Sequence, residues 1–132
     1  MKFRRIYGFT LIELLIVMVI LGLLASLVAP TMFSKVASSK VKTAQAQMQM
    51  LVTSMDAFRL DVGRYPQSLE ELRSSNAVNW DGPYLPKAVP LDPWGNPYVY
   101  LVPGKNGEFD LLTYGADGKQ GGEEDNADVS YF

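Results

Sequence analysis

The chain has no cysteine and no histidine among its 132 residues. The first absence excludes a disulfide framework, a thiolate metal site and a thiol nucleophile. The second removes the commonest general base and the commonest transition-metal ligand. Excess positive charge is missing as well. The formal net charge is −2, far from the strongly basic balance of a dedicated nucleic-acid binder. Length sets a further bound: 132 residues allow one domain and one long appended element.

The charge that is present is segregated. Lys2, Arg4 and Arg5 give +3 within residues 1–8, and the remaining 9 bases and 14 acids give −5. Between Asp117 and Asp128 stand five acids against Lys119 alone, a local −4. The head of the chain is basic and the tail acidic.

Between them lies a long apolar run. Phe9 to Ala29 reads FTLIELLIVMVILGLLASLVA, in which only Thr10, Glu13 and Ser26 are polar. A helix of about 20 residues spans roughly 30 Å, the thickness of a bilayer's hydrocarbon core. The competing reading, a buried helix of a soluble protein, needs a surrounding layer that so short a chain cannot supply. Three bases precede the span and only Lys35 follows closely, so the positive-inside rule puts the N-terminus in the cytoplasm and exports the rest. Ala25, Ser26 and Ala29 imitate a signal-peptidase site after the apolar run. Gly8, placed between the basic stretch and Phe9, marks a different boundary.

The segment KFRRIYGFTLIELL resembles the class III leader of type IV pilins and type II secretion pseudopilins. That resemblance implies cleavage between Gly8 and Phe9 by a prepilin peptidase and N-methylation of Phe9. Glu13 stands out on physical grounds alone, because a carboxylate within an apolar helix costs about 2–4 kcal/mol unless paired or near the headgroups. It is either an acid tolerated at the interface or a functional charge. The resemblance implies the latter: an assembly residue that pairs with the N-terminal amine of a neighbouring subunit.

Beyond the span, Pro30 interrupts the helical pattern, since it lacks an N–H and clashes with the preceding turn. Helical signal then resumes. Val41, Ala44, Met48, Leu51, Met55, Phe58 and Val62 recur at steps of three and four and form one apolar stripe. A coiled-coil partner would cover it, as would the chain's own strands, which themselves need a cover; the second reading is preferred. Gly63 closes the helix, and Ser68 with Glu71 has the spacing of a capping box opening a short helix to about Ser74. Five prolines from Pro83 to Pro97 make the following stretch an ordered loop. Trp80, Tyr84 and Trp94 are expected to pin it to the core, in preference to forming a sugar-binding shelf. Tyr98–Val102 and Phe109–Tyr114 read as strands of a hairpin, with a last short strand at Val129–Phe132.

The blocks DVGRYP and LDPWGNPYVY sharpen the resemblance to the major pseudopilin family of type II secretion, and the missing cysteines set the chain apart from adhesive pilins closed by a disulfide. The implied fold is α+β: a long N-terminal helix, part membrane span and part amphipathic stem, packed on a small antiparallel sheet, with a C-terminal calcium loop. The expected divisions are a cleaved leader at 1–8, a transmembrane or filament-core helix at 9–30, and the stem with a periplasmic head at 31–132.

The acidic segment GADGKQGGEEDNADVSYF combines glycines that permit tight turns with hard oxygen ligands. Asp117 and Asp128 are the ends of a twelve-residue stretch, but Lys119 and Gly121 occupy ligand places of an EF-hand and no helix pair flanks them, so that motif is excluded. Composition alone leaves a solvated acidic loop as the alternative. The resemblance implies one calcium ion, Ca2+, held by Asp117 and Asp128, with Asp125 substituting for a family aspartate that is Ala127 here. Tyr114 and Lys119 would serve through their main-chain carbonyls.

The function so implied is a structural subunit, not an enzyme. It is stored in the inner membrane as a single-pass protein and polymerised with itself into a periplasmic pseudopilus that drives export of folded proteins. The implied partners are minor pseudopilins, the prepilin peptidase and the inner-membrane assembly platform, with no nucleic acid. A type IV pilin for adhesion or motility is the alternative within the same architecture. A membrane-tethered enzyme using paired carboxylates and a calcium-dependent carbohydrate binder are the alternatives from other classes.

Overall fold

The computed structural model describes residues 2–5 and 7–132. Met1 and Ile6, both within the expected leader, lie outside the described residues. The chain forms two compact units, Met1–Val36 and Ala37–Phe132. Helix α1 (Leu11–Val62) contributes to both.

In the first unit, α1 opens with a capping box that the sequence reading did not identify. Thr10 is the N-cap: its hydroxyl oxygen accepts from the Glu13 N–H at 3.3 Å, and Glu13 Oε2 accepts from the Thr10 N–H at 2.9 Å. Two of the four orphan donors of a helix start are thereby satisfied within the chain. The apolar side chains that follow are open to their surroundings, with Leu11 81% and Leu27 73% exposed. The hydroxyls among them turn inward, Ser26 donating to the Leu23 carbonyl and Thr31 to that of Val28. An apolar medium demands this, because unpaired polar groups there are costly. The interruption expected at Pro30 does not break the helix, whose signal resumes as read from the sequence: α1 runs through it as one 52-residue element. Proline removes one donor, and an apolar helix has no better partner for the remaining backbone groups than its own turns.

The second unit is built on the predicted stripe. Ala44, Met48, Leu51, Met55 and Phe58 are fully buried, and Val52 joins them at 6% exposure. Gly63 ends α1 as expected, with φ of +89° and its N–H on the Arg59 carbonyl at 2.8 Å. This is the left-handed C-terminal position that glycine adopts at little cost.

The next turn departs from expectation. A 3-10 turn spans Leu69–Leu72, but the Ser68 side chain makes no capping bond. Glu71 instead takes the Gln67 N–H at 2.9 Å and Arg64 Nη1 at 3.1 Å. Burial would raise the Glu71 carboxyl, yet these bonds outweigh it and hold the group below its ordinary value. A cationic donor outcompetes the neutral capping geometry.

Strands β1 (Val99–Leu101), β2 (Asp110–Thr113) and β3 (Val129–Ser130) form an antiparallel sheet in the order β1-β2-β3. Tyr100 pairs with Leu111, and Thr113 with Val129. Alternation sends Leu111 and Thr113 inward, both fully buried. The inner face meets the α1 stripe in one cluster with Leu69, Leu72, Leu85, Tyr98 and Phe109. The proline-rich loop is pinned where Trp80 Nε1 donates to the Glu71 carbonyl at 2.8 Å and the Tyr84 hydroxyl to Asp61 at 2.7 Å. Trp94 is half-buried but stands outside the cluster that Trp80 and Tyr84 pack against.

Two outcomes follow for the full-length chain in detergent micelles. Phe58→Ala is expected to destabilise the fold by about 3–5 kcal/mol in urea unfolding, through transfer and cavity terms together. Leu60→Ala, on the 86% exposed side of the same helix, is expected to stay within about 0.5 kcal/mol. At the other end, Thr10→Ala is expected to speed amide exchange at Glu13 about fivefold, the loss of a cap worth about 1 kcal/mol. Thr10→Ser is expected to exchange as the parent does, and equal rates in the Thr10→Ala variant would show that the cap carries no weight.

Candidate functional site

The residues singled out from the sequence fall in two places. Gly8 and Phe9 precede α1 in non-helical backbone, both exposed. A Cβ at Gly8 would meet nothing within 4 Å, so no contact within the chain requires glycine there. Phe9, at 84% exposure, lines a shallow apolar depression with Glu13, Leu14, Ile16 and Val17. The Glu13 carboxylate lies on the Thr10 N–H, one residue from Phe9. A charge that looks isolated in the sequence is thus held at the positive end of its own helix.

The second place is the C-terminal loop. Its two arms close on each other: the Ala116 N–H donates to the Asp125 carbonyl at 2.8 Å. Gly115, with φ of +77°, stands where they cross, and a Cβ there would lie 2.7 Å from the Asp125 oxygen and 2.8 Å from that of Ala127. Only glycine allows that approach. The Asp117 carboxylate accepts from the Lys119 N–H at 3.1 Å. Asp128 accepts from the Gly121 N–H at 3.1 and 3.0 Å through its two oxygens. Asp125 lies in a 3-10 turn, Glu124–Asn126, with its side chain exposed. Tyr114 is half-buried.

Every donor assigned from the sequence is a carboxylate or carbonyl oxygen, the chemistry that suits calcium. Each carboxylate keeps lone pairs beyond those taken by loop amides. Among the described residues, no three acidic side chains are gathered where they could hold a metal ion. The donor types fit a hard divalent cation, while the side chains are spread along the loop.

What the sequence reading missed lies beneath the loop. Asp92 is a buried carboxylate, 4% exposed. Its Oδ1 accepts from the Trp94 and Asn96 N–H groups at 3.0 and 2.8 Å, and its Oδ2 from the Thr113 hydroxyl. Asn96 in turn donates through Nδ2 to the Gly115 carbonyl at 3.0 Å. Nearby, burial first and the Asp92 charge second push the Tyr98 phenol well above its ordinary range. The available signal was Asp-Pro-Trp-Gly-Asn, an aspartate ahead of a glycine turn, which favours side-chain bonds to N–H groups a few residues on.

Comparison with known proteins places both regions. The profile described as prokaryotic N-terminal methylation motif matches residues 3–29. The profile of type II secretion system protein G matches residues 31–131. Type II secretion system core protein G of Pseudomonas aeruginosa is 43% identical, across 98% of this chain and 96% of its own. The protein of the same description from Vibrio cholerae is 40% identical, across 97% and 92%. A crystal structure of the major pseudopilin from the type 2 secretion system of enterohaemorrhagic Escherichia coli superposes with a TM-score of 0.62. It is 27% identical and covers 73% of this chain and 85% of its own. A basic N-terminal stretch, an exposed apolar helix and a helix-on-sheet head with a C-terminal loop are therefore features of a known lineage, and the chain belongs to the type II secretion system protein G family.

Proposed function

We propose that this chain is the major structural subunit of a type II secretion pseudopilus, a membrane-stored protein that polymerises with itself and acts mechanically rather than as an enzyme. The conjunction that supports this most is the methylation motif over residues 3–29 running directly into the protein G match over 31–131. Family membership and the likeness to a major pseudopilin favour this over a type IV pilin. The N-terminal apolar helix, with mean hydropathy of 2.9 in its most apolar window, anchors the chain to a membrane.

The finer reading follows the chemistry. The leader is cut between Gly8 and Phe9 at the cytoplasmic face of the inner membrane, and Phe9 is N-methylated. The head lies in the periplasm. Glu13 then serves twice, closing its own helix start and offering its charge to the amine of a neighbouring subunit. The peptidase, an assembly platform and minor pseudopilins are the partners this implies. At the far end, Asp117, Asp125 and Asp128 with the Tyr114 and Lys119 carbonyls would hold a calcium ion. When bound, the ion would neutralise half of the local −4 charge and join the loop's two arms.

Mass spectrometry of the mature N-terminus tests the reading: a start at Phe9 with one added methyl group is expected, and a start after Ala29 would overturn it. Gly8→Ala leaves the fold untouched by the spacing above, so accumulated precursor in that variant would report peptidase recognition alone. Glu13→Gln keeps an acceptor for the Thr10 N–H and removes the charge. It is expected to leave processing intact and to lower filament yield, whereas wild-type yield would dismiss the pairing. Calcium that binds only the folded chain adds roughly 3–4 kcal/mol at several hundred-fold saturation. Excess chelator is therefore expected to lower the melting temperature by about 10–15 °C. Asp117→Ala is expected to do the same and to add nothing further in chelator. Identical melting with and without calcium would return the loop to a solvated acidic segment.

A further inference from the structure

We propose that the turn from Asp92 to Asn96 is the positioning element of the acidic loop, holding Gly115 so that the Tyr114–Lys119 arm takes the stance in which its oxygens face a divalent cation. The cation part of this rests on the calcium reading above; the ordering of the loop does not.

The turn contains a buried charge. Asp92 is 4% exposed, and neither ion pair among the described residues includes it. A buried carboxylate without a cation is expensive unless its lone pairs are all well used. Here they are used to one end. Two go to the Trp94 and Asn96 N–H groups and close the turn, with the Asp92 N–H returning to the Asn96 carbonyl at 2.8 Å. A third takes the Thr113 hydroxyl at the end of β2. Thr113 Oγ1 then accepts from the Gly115 N–H at 3.2 Å. Asn96 Nδ2 donates to the Gly115 carbonyl at 3.0 Å.

Both main-chain polar groups of Gly115 are therefore held by side chains tied to one turn, about twenty residues earlier in the sequence. The same glycine is where the returning arm crosses, close against the Asp125 and Ala127 carbonyls. The Asn96 amide also reaches beneath Gly118, where an added Cβ would sit 3.5 Å from its nitrogen. Asn96 thus underlies the arm from Gly115 to Gly118, which carries Asp117. Exposed acids that repel one another gain nothing from being near unless the backbone sets them there. The turn supplies that backbone constraint from the buried side.

The test uses the full-length protein in detergent micelles, with amide hydrogen exchange in excess chelator and calcium chloride titration by calorimetry. Asn96→Ala is expected to speed exchange at Ala116 and Gly118 about tenfold, to weaken calcium binding about tenfold, and to leave the amides of Leu111 and Leu112 unchanged. Thr113→Val, which keeps the shape without the hydroxyl, is expected to act in the same direction, and Thr113→Ser to restore parental values. Parental loop exchange in Asn96→Ala would overturn the proposal. So would faster exchange spread equally over β2, or a calcium affinity unchanged in a loosened loop. If the parent protein itself binds no calcium, the cation reading fails before any variant is compared. The exchange arm then decides the turn's role alone.

Discussion

One helix has to satisfy two solvents. From Leu11 to Val36 the side chains of α1 are mostly apolar and outward, which only a nonpolar environment or a neighbouring helix stabilises. From Ala44 to Phe58 the apolar groups shrink to a stripe and are buried by the chain's own strands. The rest of the molecule answers to that division. The sheet exists to cover the stripe, since three short strands of 3, 4 and 2 residues would not stand alone. The proline-rich loop closes the remaining edge, tied down by Trp80, Tyr84 and the Arg73 bond to the Leu85 carbonyl at 2.8 Å.

Much of this was legible because it is periodic. The spacing of Met48, Leu51, Met55 and Phe58 announces a helix with one buried face, and the β-rich runs around Tyr100 and Leu111 announce paired strands. What escaped was local hydrogen-bond choice. Thr10 and Glu13 have capping-box spacing, as do Ser68 and Glu71, yet only the first pair forms one. The difference is a competitor: Arg64 and the Gln67 N–H reach Glu71, whereas neither ion pair among the described residues includes Glu13. Spacing names the candidates, and the neighbours decide among them. Asp92 escaped for another reason. Its partner Thr113 is 21 positions away, and no periodicity links a turn aspartate to the end of a strand.

The two sets of carboxylates in the head illustrate opposite uses of one functional group. Asp92 is dry, saturated with donors and structural. Asp117, Asp125 and Asp128 are wet, partly bonded and close in sequence. Sequence patterns draw the eye to the second set because it is dense. Burial, which no single-sequence pattern displays for an isolated aspartate, identifies the first.

The cap at the start of α1 bears on how strongly any neighbour could hold Glu13. Because Oε2 already accepts from the Thr10 N–H, a contact between subunits would proceed by exchange, one donor replacing or joining another. Its driving force is the difference between two bonds rather than the full attraction between free charges. A fibre held at this position would therefore take its cohesion from the apolar surface buried along α1, leaving Glu13 to set the register at which one helix stops sliding past the next.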